Sequence, residues 1–400
     1  MARTRRMIVS TVVRSLYTGI TTESRGLGGS VGLPPGRRMD SGNVPYGPVA
    51  GKATARDVQE TPAPHRRFSG VSRLLVLAPN WLGDAVMALP AIADVRQSAS
   101  RSALIIAARP SVAPLFTMVP GVDEIVELDA RRSLAHDVDA IRRVRADAAV
   151  LLPNSFRTAM MVWRAGVQER WGYRTSFRGA LLTFAPPAPS EVHQATYYQR
   201  LTTAIGASAG PRFARLDVGD GNRRAAHALL TELGWDGGSP LVALAPGAAY
   251  GTAKRWAPSS YAELASAVSR DGGLPVIVGG PADRDAGVEV ISALKPDARA
   301  ANLIGRTDLQ TLAGVLALCR TLVSNDSGAM HVASAVGTPV TALFGPTDET
   351  ATHPVGAGSS RVLTHPVWCR PCMLRDCPLD HRCMTGIRVE AVLDAVRSSV

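Results

Sequence analysis

The chain is expected to fold as α/β, in two consecutive Rossmann-like, doubly wound domains facing a central cleft. Three observations carry this. From Arg73 onward short β-rich apolar runs alternate with helical patterns, as repeated βα units and parallel sheets require. The alternation pauses across residues 217–240 and starts afresh at 241. Four hundred residues, 46% apolar and 19% charged, supply enough chain for two cores.

The first set of strands is read at 74–78, 104–107, 124–128 and 148–152, with helices at 85–97 and 135–145. The second set lies at 241–245, 274–278, 301–304, 321–324 and 339–344, with helices at 259–270, 309–318 and 329–336. Between them stand a helix-like stretch, 222–233, and the turn Gly234-Trp235-Asp236-Gly237-Gly238, so the boundary is set at 235/236. This gives a leader at 1–70, a first domain at 71–235 and a second at 236–400. Two such domains present the carboxyl ends of their strands to a shared cleft, where α/β sheets bind ligands.

The leader is rich in Arg, Gly, Ser and Pro without sustained periodicity, and is expected to be disordered. It fits a signal peptide poorly, because its apolar stretch is broken at Ser10 and Thr11 and ends at Arg14. A dispensable tail, or a start codon assigned too early with Met39 as the later start, accounts for it better. Residues 1–70 hold eleven Arg or Lys against four Asp or Glu, leaving 33 against 29 in the remainder. The formal charge of +11 is thus mostly a property of the leader, and a nucleic-acid partner is not expected. No run of 18 apolar residues occurs, so no spanning helix is expected.

Four segments carry candidate chemistry. Ser324-Asn325-Asp326-Ser327-Gly328-Ala329-Met330-His331 places an Asp, a hydroxyl and a Gly where a buried strand meets a helix N-terminus, a setting for phosphorylated ligands. Asp326 and Ser327 can cap that helix or reach a ligand, and His331 serves the site or the core. The loop from Pro246 through Gly247, Thr252, Lys254 and Arg255 to Trp256 follows the second domain's first strand. Its small residues let backbone amides approach a diphosphate that Lys254 and Arg255 neutralise. Only three lysines occur, Lys52, Lys254 and Lys295, so a Lys here reads as chosen for a compact ammonium. The spacing matches neither a Walker loop nor a dinucleotide fingerprint. Ser259 is expected to cap the following helix.

In the first domain, Pro79-Asn80-Trp81-Leu82-Gly83-Asp84 turns out of the first strand, and Asp84 can act as a general base or as an N-cap. Arg157, Arg164, Arg170, Arg174 and Arg178 occur with one acidic neighbour, Glu169, and suit an acidic acceptor. Trp163, Trp171 and Tyr173 can stack on a sugar or fill the core. Cys369, Cys372, Cys377 and Cys383 fall within fifteen residues, compatible with a structural zinc site, an iron–sulfur site or reduced thiols. Asp283-Arg284-Asp285 is read as ordinary surface sequence.

Taken in order, the segment from Leu75 to Met87, Leu152-Pro153-Asn154-Ser155-Phe156-Arg157, Pro246-Gly247-Ala248, Lys254-Arg255-Trp256, Val278-Gly279-Gly280 and Asn325 to His331 resemble the heptosyltransferases of glycosyltransferase family 9. The resemblance implies a GT-B fold with an acceptor domain first, a nucleotide-sugar domain second and a last helix, 388–398, crossing back to the first. It implies inverting transfer of heptose from ADP-L-glycero-β-D-manno-heptose to the inner core of lipopolysaccharide, with no cofactor required. On this resemblance Asp84 is the base and Lys254 stabilises the departing diphosphate. Gly247, Thr252, Arg255, Gly280, Asp326, Ser327, Gly328 and His331 hold the donor, while Asn80, Trp81, Ser155 and Arg157 hold the acceptor. The expected partners are an ADP-sugar and an acidic lipid-linked glycan, met in the cytoplasm at the inner face of the cell membrane with peripheral contact. A related transferase using another nucleotide sugar, or a non-catalytic nucleotide-sugar-binding protein, is the competing expectation.

Overall fold

A computed structural model describes residues 67–399 except Ala130 and Arg132, all within one compact unit. The leader expectation for residues 1–66 lies outside the described residues. Its last part is corrected: Phe68 is buried and packs edge-on against Trp171 at 5.6 Å, so apolar burial starts the folded body before residue 70.

The first sheet contains β1 (Arg73–Leu77), β2 (Ala103–Ala108), β3 (Glu124–Glu127), β4 (Ala148–Leu151) and β5 (Glu169–Trp171). All pair in parallel in the order β3-β2-β1-β4-β5. The second contains β6 (Leu241–Ala245), β7 (Leu274–Ile277), β8 (Ala301–Asn302), β9 (Thr321–Asn325), β10 (Val340–Phe344) and β11 (Ser360–Thr364). These too are parallel, in the order β11-β10-β9-β6-β7-β8. Strands such as Leu241–Ala245 are buried at every residue, which is why they read as unbroken apolar runs. In each sheet the chain reverses direction once, between β1 and β4 and between β6 and β9. Loops leaving those four strands open the crevices where such sheets bind ligands.

The helices of the first half are α1 (Leu82–Met87), α2 (Leu89–Ser98), α3 (Leu134–Val144), α4 (Phe156–Arg164) and α5 (Gln194–Ala204). The expected single helix at 85–97 is two, with Pro90 in the first turn of α2, where its missing N–H costs nothing. Then come α6 (Asp220–Glu232), α7 (Pro258–Arg270), α8 (Arg284–Ser292), α9 (Leu309–Leu318) and α10 (Gly328–Ala335). The chain closes with α11 (Glu349–Thr352), α12 (Arg382–Thr385) and α13 (Val389–Arg397). Ser259 does not cap α7, which starts at Pro258 after Ala257. Helix α6 packs on α9 closely enough that a Cβ on Gly314 would meet the Asn222 carbonyl oxygen at 2.5 Å. The last helix does not cross to the first half: Val392 and Val396 join the core of Val242, Trp256 and Tyr261, and Arg397 pairs with Asp271 after α7.

Candidate active site

A cavity of about 630 Å³ is lined from both halves. The first half supplies Trp81, Leu82, Gly83 and Asp84; the second supplies Gly247, Lys254, Gly280, Asp326, Ser327, Gly328 and His331. Two glycines bring the halves together. A Cβ on Gly83 would lie 2.9 Å from His331 Cδ2, and one on Gly328 would lie 3.0 Å from Leu82 Cδ2. A Cβ at either point would crowd the facing side chain, and so α1 seats directly on α10.

On the second side, the carboxylate of Asp326 accepts from Lys254 Nζ at 2.6 Å and from Thr347 Oγ1 at 2.7 Å. Lys254 is 13% and Asp326 8% exposed, so the pair sits where each charge depends on the other. Neither Asp326 nor Ser327 caps α10 through its side chain: Ser327 is the N-cap residue with no side-chain cap bond. Asp326 is committed to Lys254 and Thr347 instead, leaving first-turn amides of α10 open for an anion.

Asn325, one residue earlier, is completely buried and satisfied on all sides. Its Oδ1 accepts from Trp256 N and Tyr261 Oη, each at 3.1 Å, while Nδ2 donates to the Pro246 and Gly247 carbonyls at 2.8 and 3.3 Å. The end of β9 thereby holds the loop after β6 from both ends. That fixes Lys254 against Asp326.

Asp84 is half-buried within α1, beyond the N-cap position held by Trp81. Loss of water around the carboxyl, and then the negative charge of Asp326, push its pKa from 3.8 up to about 6, against the opposing pull of Lys254. Such a group is ionised at neutral pH yet basic enough to take a proton. His331, buried and with Nδ1 lacking a hydrogen-bond partner, is pushed down to about 4 chiefly by desolvation, which outweighs Asp326. It is neutral at physiological pH.

The family model for glycosyltransferase family 9 (heptosyltransferase) matches residues 132–382. The chain belongs to glycosyltransferase family 9. Lipopolysaccharide heptosyltransferase 2 of Salmonella typhimurium and that of Escherichia coli K12 are each 31% identical to it over 303 residues, spanning 71% of this chain and 85% of theirs. The solved E. coli ADP-heptose lps heptosyltransferase II superposes with a TM-score of 0.71 at 28% identity, covering 82% of this chain and 98% of that one. A family 9 structure from Veillonella parvula aligns with a TM-score of 0.72 at 20% identity, over 82% and 97% of the two chains. The fold is GT-B, and the protein is a glycosyltransferase.

Several residues expected to hold the donor or the acceptor lie outside the cavity lining. Thr252 hydrogen-bonds Asp376, and Arg255 is half-buried with its Nε unpartnered. Asn80 is exposed after β1. Ser155 caps α4 by accepting from Thr158 N, and Arg157 pairs with Asp137 at 3.0 Å. Of the arginines expected to hold an acceptor, Arg170 donates to the carbonyls of Val167, Gln168 and Leu181. Arg178 is fully buried against Tyr173, Pro153 and Asn154. These two are structural. Trp171 and Tyr173 are core residues.

The zinc expectation is not supported. Among the described residues no three His, Cys, Asp or Glu side chains form a group able to hold a metal ion. Cys383 turns into the core beside Met384 and Ile387, whereas Cys369, Cys372 and Cys377 stay half-buried in the loop. Desolvation, and then the other three thiols, raise the Cys383 pKa.

Sequence reading missed Thr347, whose hydroxyl steadies Asp326, and undervalued Asp283. The Asp283 carboxylate accepts from Gly280 N at 2.9 Å and lies where a Cβ on Gly247 would meet its Cγ at 2.2 Å. Its position after Gly279-Gly280, at the end of the strand beside β6, was the available signal.

Proposed function

We propose that this enzyme transfers heptose, with inversion, from ADP-L-glycero-β-D-manno-heptose to an acidic lipid-linked acceptor, the inner core of lipopolysaccharide. The observation that carries this reading is the opposition of Asp84, from the first half, to the Lys254–Asp326 pair and the α10 N-terminus across one cavity. An inverting displacement needs one base opposite one leaving group.

In this reading an acceptor hydroxyl oxygen attacks the anomeric carbon as its proton passes to the Asp84 carboxylate. The bond from the anomeric carbon to the diphosphate oxygen breaks, and the electron pair leaves with ADP. Lys254 and the first-turn amides of α10 meet the charge developing on that oxygen. Asp326 and Thr347 keep the ammonium in place before the donor arrives, so little reorganisation accompanies the reaction. Gly247 and Gly280 leave room for close backbone approach, with Thr252 and Arg255 flanking the loop, and Ser327, Gly328 and His331 border the sugar. Asn80, Trp81, Ser155 and Arg157 receive the acceptor. The leaving-group charge is thus met by groups of this chain.

Residues 71–235 form the acceptor part and 236–400 the nucleotide-sugar part in this account. No helix among the described residues is long and apolar enough to cross a membrane. In this reading the lipid-linked acceptor is met at the cytoplasmic face of the cell membrane by peripheral contact. Thermal unfolding with a panel of nucleotide sugars tests the donor. Protection by ADP-heptose and ADP but not by UDP- or GDP-sugars is expected, and the reverse order would overturn the assignment.

A further inference from the structure

The outer face of α4 carries Phe156, Met160 and Trp163 at helical spacing i, i+4, i+7. A helix packed on a sheet normally turns such a stripe inward. Here the inward face is already filled by Ala159 and Val162, and Phe156 and Trp163 are 42% and 51% exposed. This is a second apolar face with no partner among the described residues.

A neighbouring segment extends it. Arg178 is anchored to Pro153 and Asn154 at the start of α4, and the Leu181 carbonyl is held by Arg170, which also binds the carbonyls of Val167 and Gln168 just past its end. Residues 174–181 therefore run alongside α4 from one end to the other. With Arg178 drawn inward, the chain turns over Ser176 and Phe177, both left-handed at φ 48° and 58°. A bulky residue tolerates that region poorly, and Phe177 gains no burial from it, being 100% exposed. On the opposite flank α3 is tied on through Arg142 to the Arg164 carbonyl and through Asp137 to Arg157. Between residues 131 and 180 the sequence holds ten arginines and four carboxylates. Arg164 and Arg174 are exposed within this face.

We propose that this face, built from α4 and the Arg174–Phe177 turn, seats on an anionic lipid bilayer. Aromatic side chains entering the headgroup boundary, ringed by arginines, are what a peripheral surface of this kind requires. The occupant is chosen by charge: a cationic rim around an apolar stripe complements acidic headgroups above acyl chains. The proposal rests on the reading that the acceptor is lipid-linked. It adds that the same surface brings the start of α4, with Ser155 and Arg157, down to the membrane that carries the acceptor.

The test is flotation of the full chain with phosphatidylcholine vesicles, with and without phosphatidylglycerol. The unmodified chain should float with the anionic vesicles and be released by salt. The double variant Trp163→Ser/Phe177→Ser, and separately Arg164→Glu/Arg174→Glu, should partition at least roughly tenfold less. Both leave the charge of residues 1–66 intact, so that segment cannot produce the difference. Unchanged partitioning of both variants, or no flotation of the unmodified chain, would overturn the proposal. So would a loss that follows Trp368→Ser instead, since Trp368 is 80% exposed in the Cys-rich loop. Thermal protection by ADP, measured on the same samples, should be equal in all variants. Its absence throughout would indict the donor assignment, and the flotation result would stand independently.

Discussion

Replacing Asp84 by Asn separates two effects of holding a carboxylate in this cleft. The folded protein raises its pKa from 3.8 to about 6, a difference of about 2 units. At about 1.4 kcal/mol per unit this is about 3 kcal/mol of penalty on the ionised form. Solvent still reaches the half-buried group, which reduces the figure to about 2 kcal/mol. The sign follows from linkage. Below pH 3.8 the carboxyl is neutral both folded and unfolded and costs nothing, whereas above pH 6 it is ionised in both and the full penalty applies. Asp84→Asn should therefore raise the melting temperature by roughly 3–4 °C at pH 8, and the gain should vanish as the pH falls through 6 toward 4. Over the same range turnover should drop roughly a hundredfold or more, because the proton acceptor is gone. Differential scanning calorimetry at both pH values, beside initial rates of ADP release, reads the two effects together. A variant that is less stable at pH 8, or that turns over normally, would refute the reasoning.

Other outcomes follow from the same geometry. The unmodified enzyme should show kcat/KM rising with pH to a plateau above about 6, as Asp84 deprotonates, and a profile flat from pH 5 to 8 would exclude it as the base. Lys254→Ala should lower kcat roughly a hundredfold and cost about 3 kcal/mol in denaturant unfolding, since Asp326 is left buried without its cation. Gly83→Ala should destabilise by about 1–3 kcal/mol, because its Cβ meets His331 at 2.9 Å. Asn325→Asp turns an oxygen toward the Pro246 and Gly247 carbonyls where Nδ2 had donated. It should cost about 3 kcal/mol and raise the donor KM more than it lowers kcat.

Much of the fold was legible wherever burial on both faces of a strand leaves continuous apolar sequence, as in Leu241–Ala245 and Val340–Phe344. Strand β11 was not, because Ser360–Thr364 is an edge strand with no fully buried residue. Strand β5 is three residues long and carries Glu169 and Arg170, too short and charged to register. Helix α4 was not read from the sequence, although Phe156, Met160 and Trp163 recur along it at helical spacing. At the site, the residues that face a ligand could be picked out from strand ends and glycine loops. The partnerships could not. That Asp326 serves Lys254 in place of its own helix, that Asn325 holds the Pro246–Gly247 loop, and that Arg178 is spent on carbonyls depend on contacts between residues 24 to 79 positions apart. The Cys cluster illustrates the converse: close spacing in sequence did not make a metal-holding group among the described residues, where Cys383 is buried and Cys369, Cys372 and Cys377 are half-buried.

The most direct test is to incubate the purified enzyme with ADP-L-glycero-β-D-manno-heptose and a lipid-linked inner-core acceptor, then determine the anomeric configuration of the product by NMR. The account predicts release of ADP and a new α-linked heptose. A β-linked product, or no transfer by an enzyme that binds ADP-heptose, would contradict it.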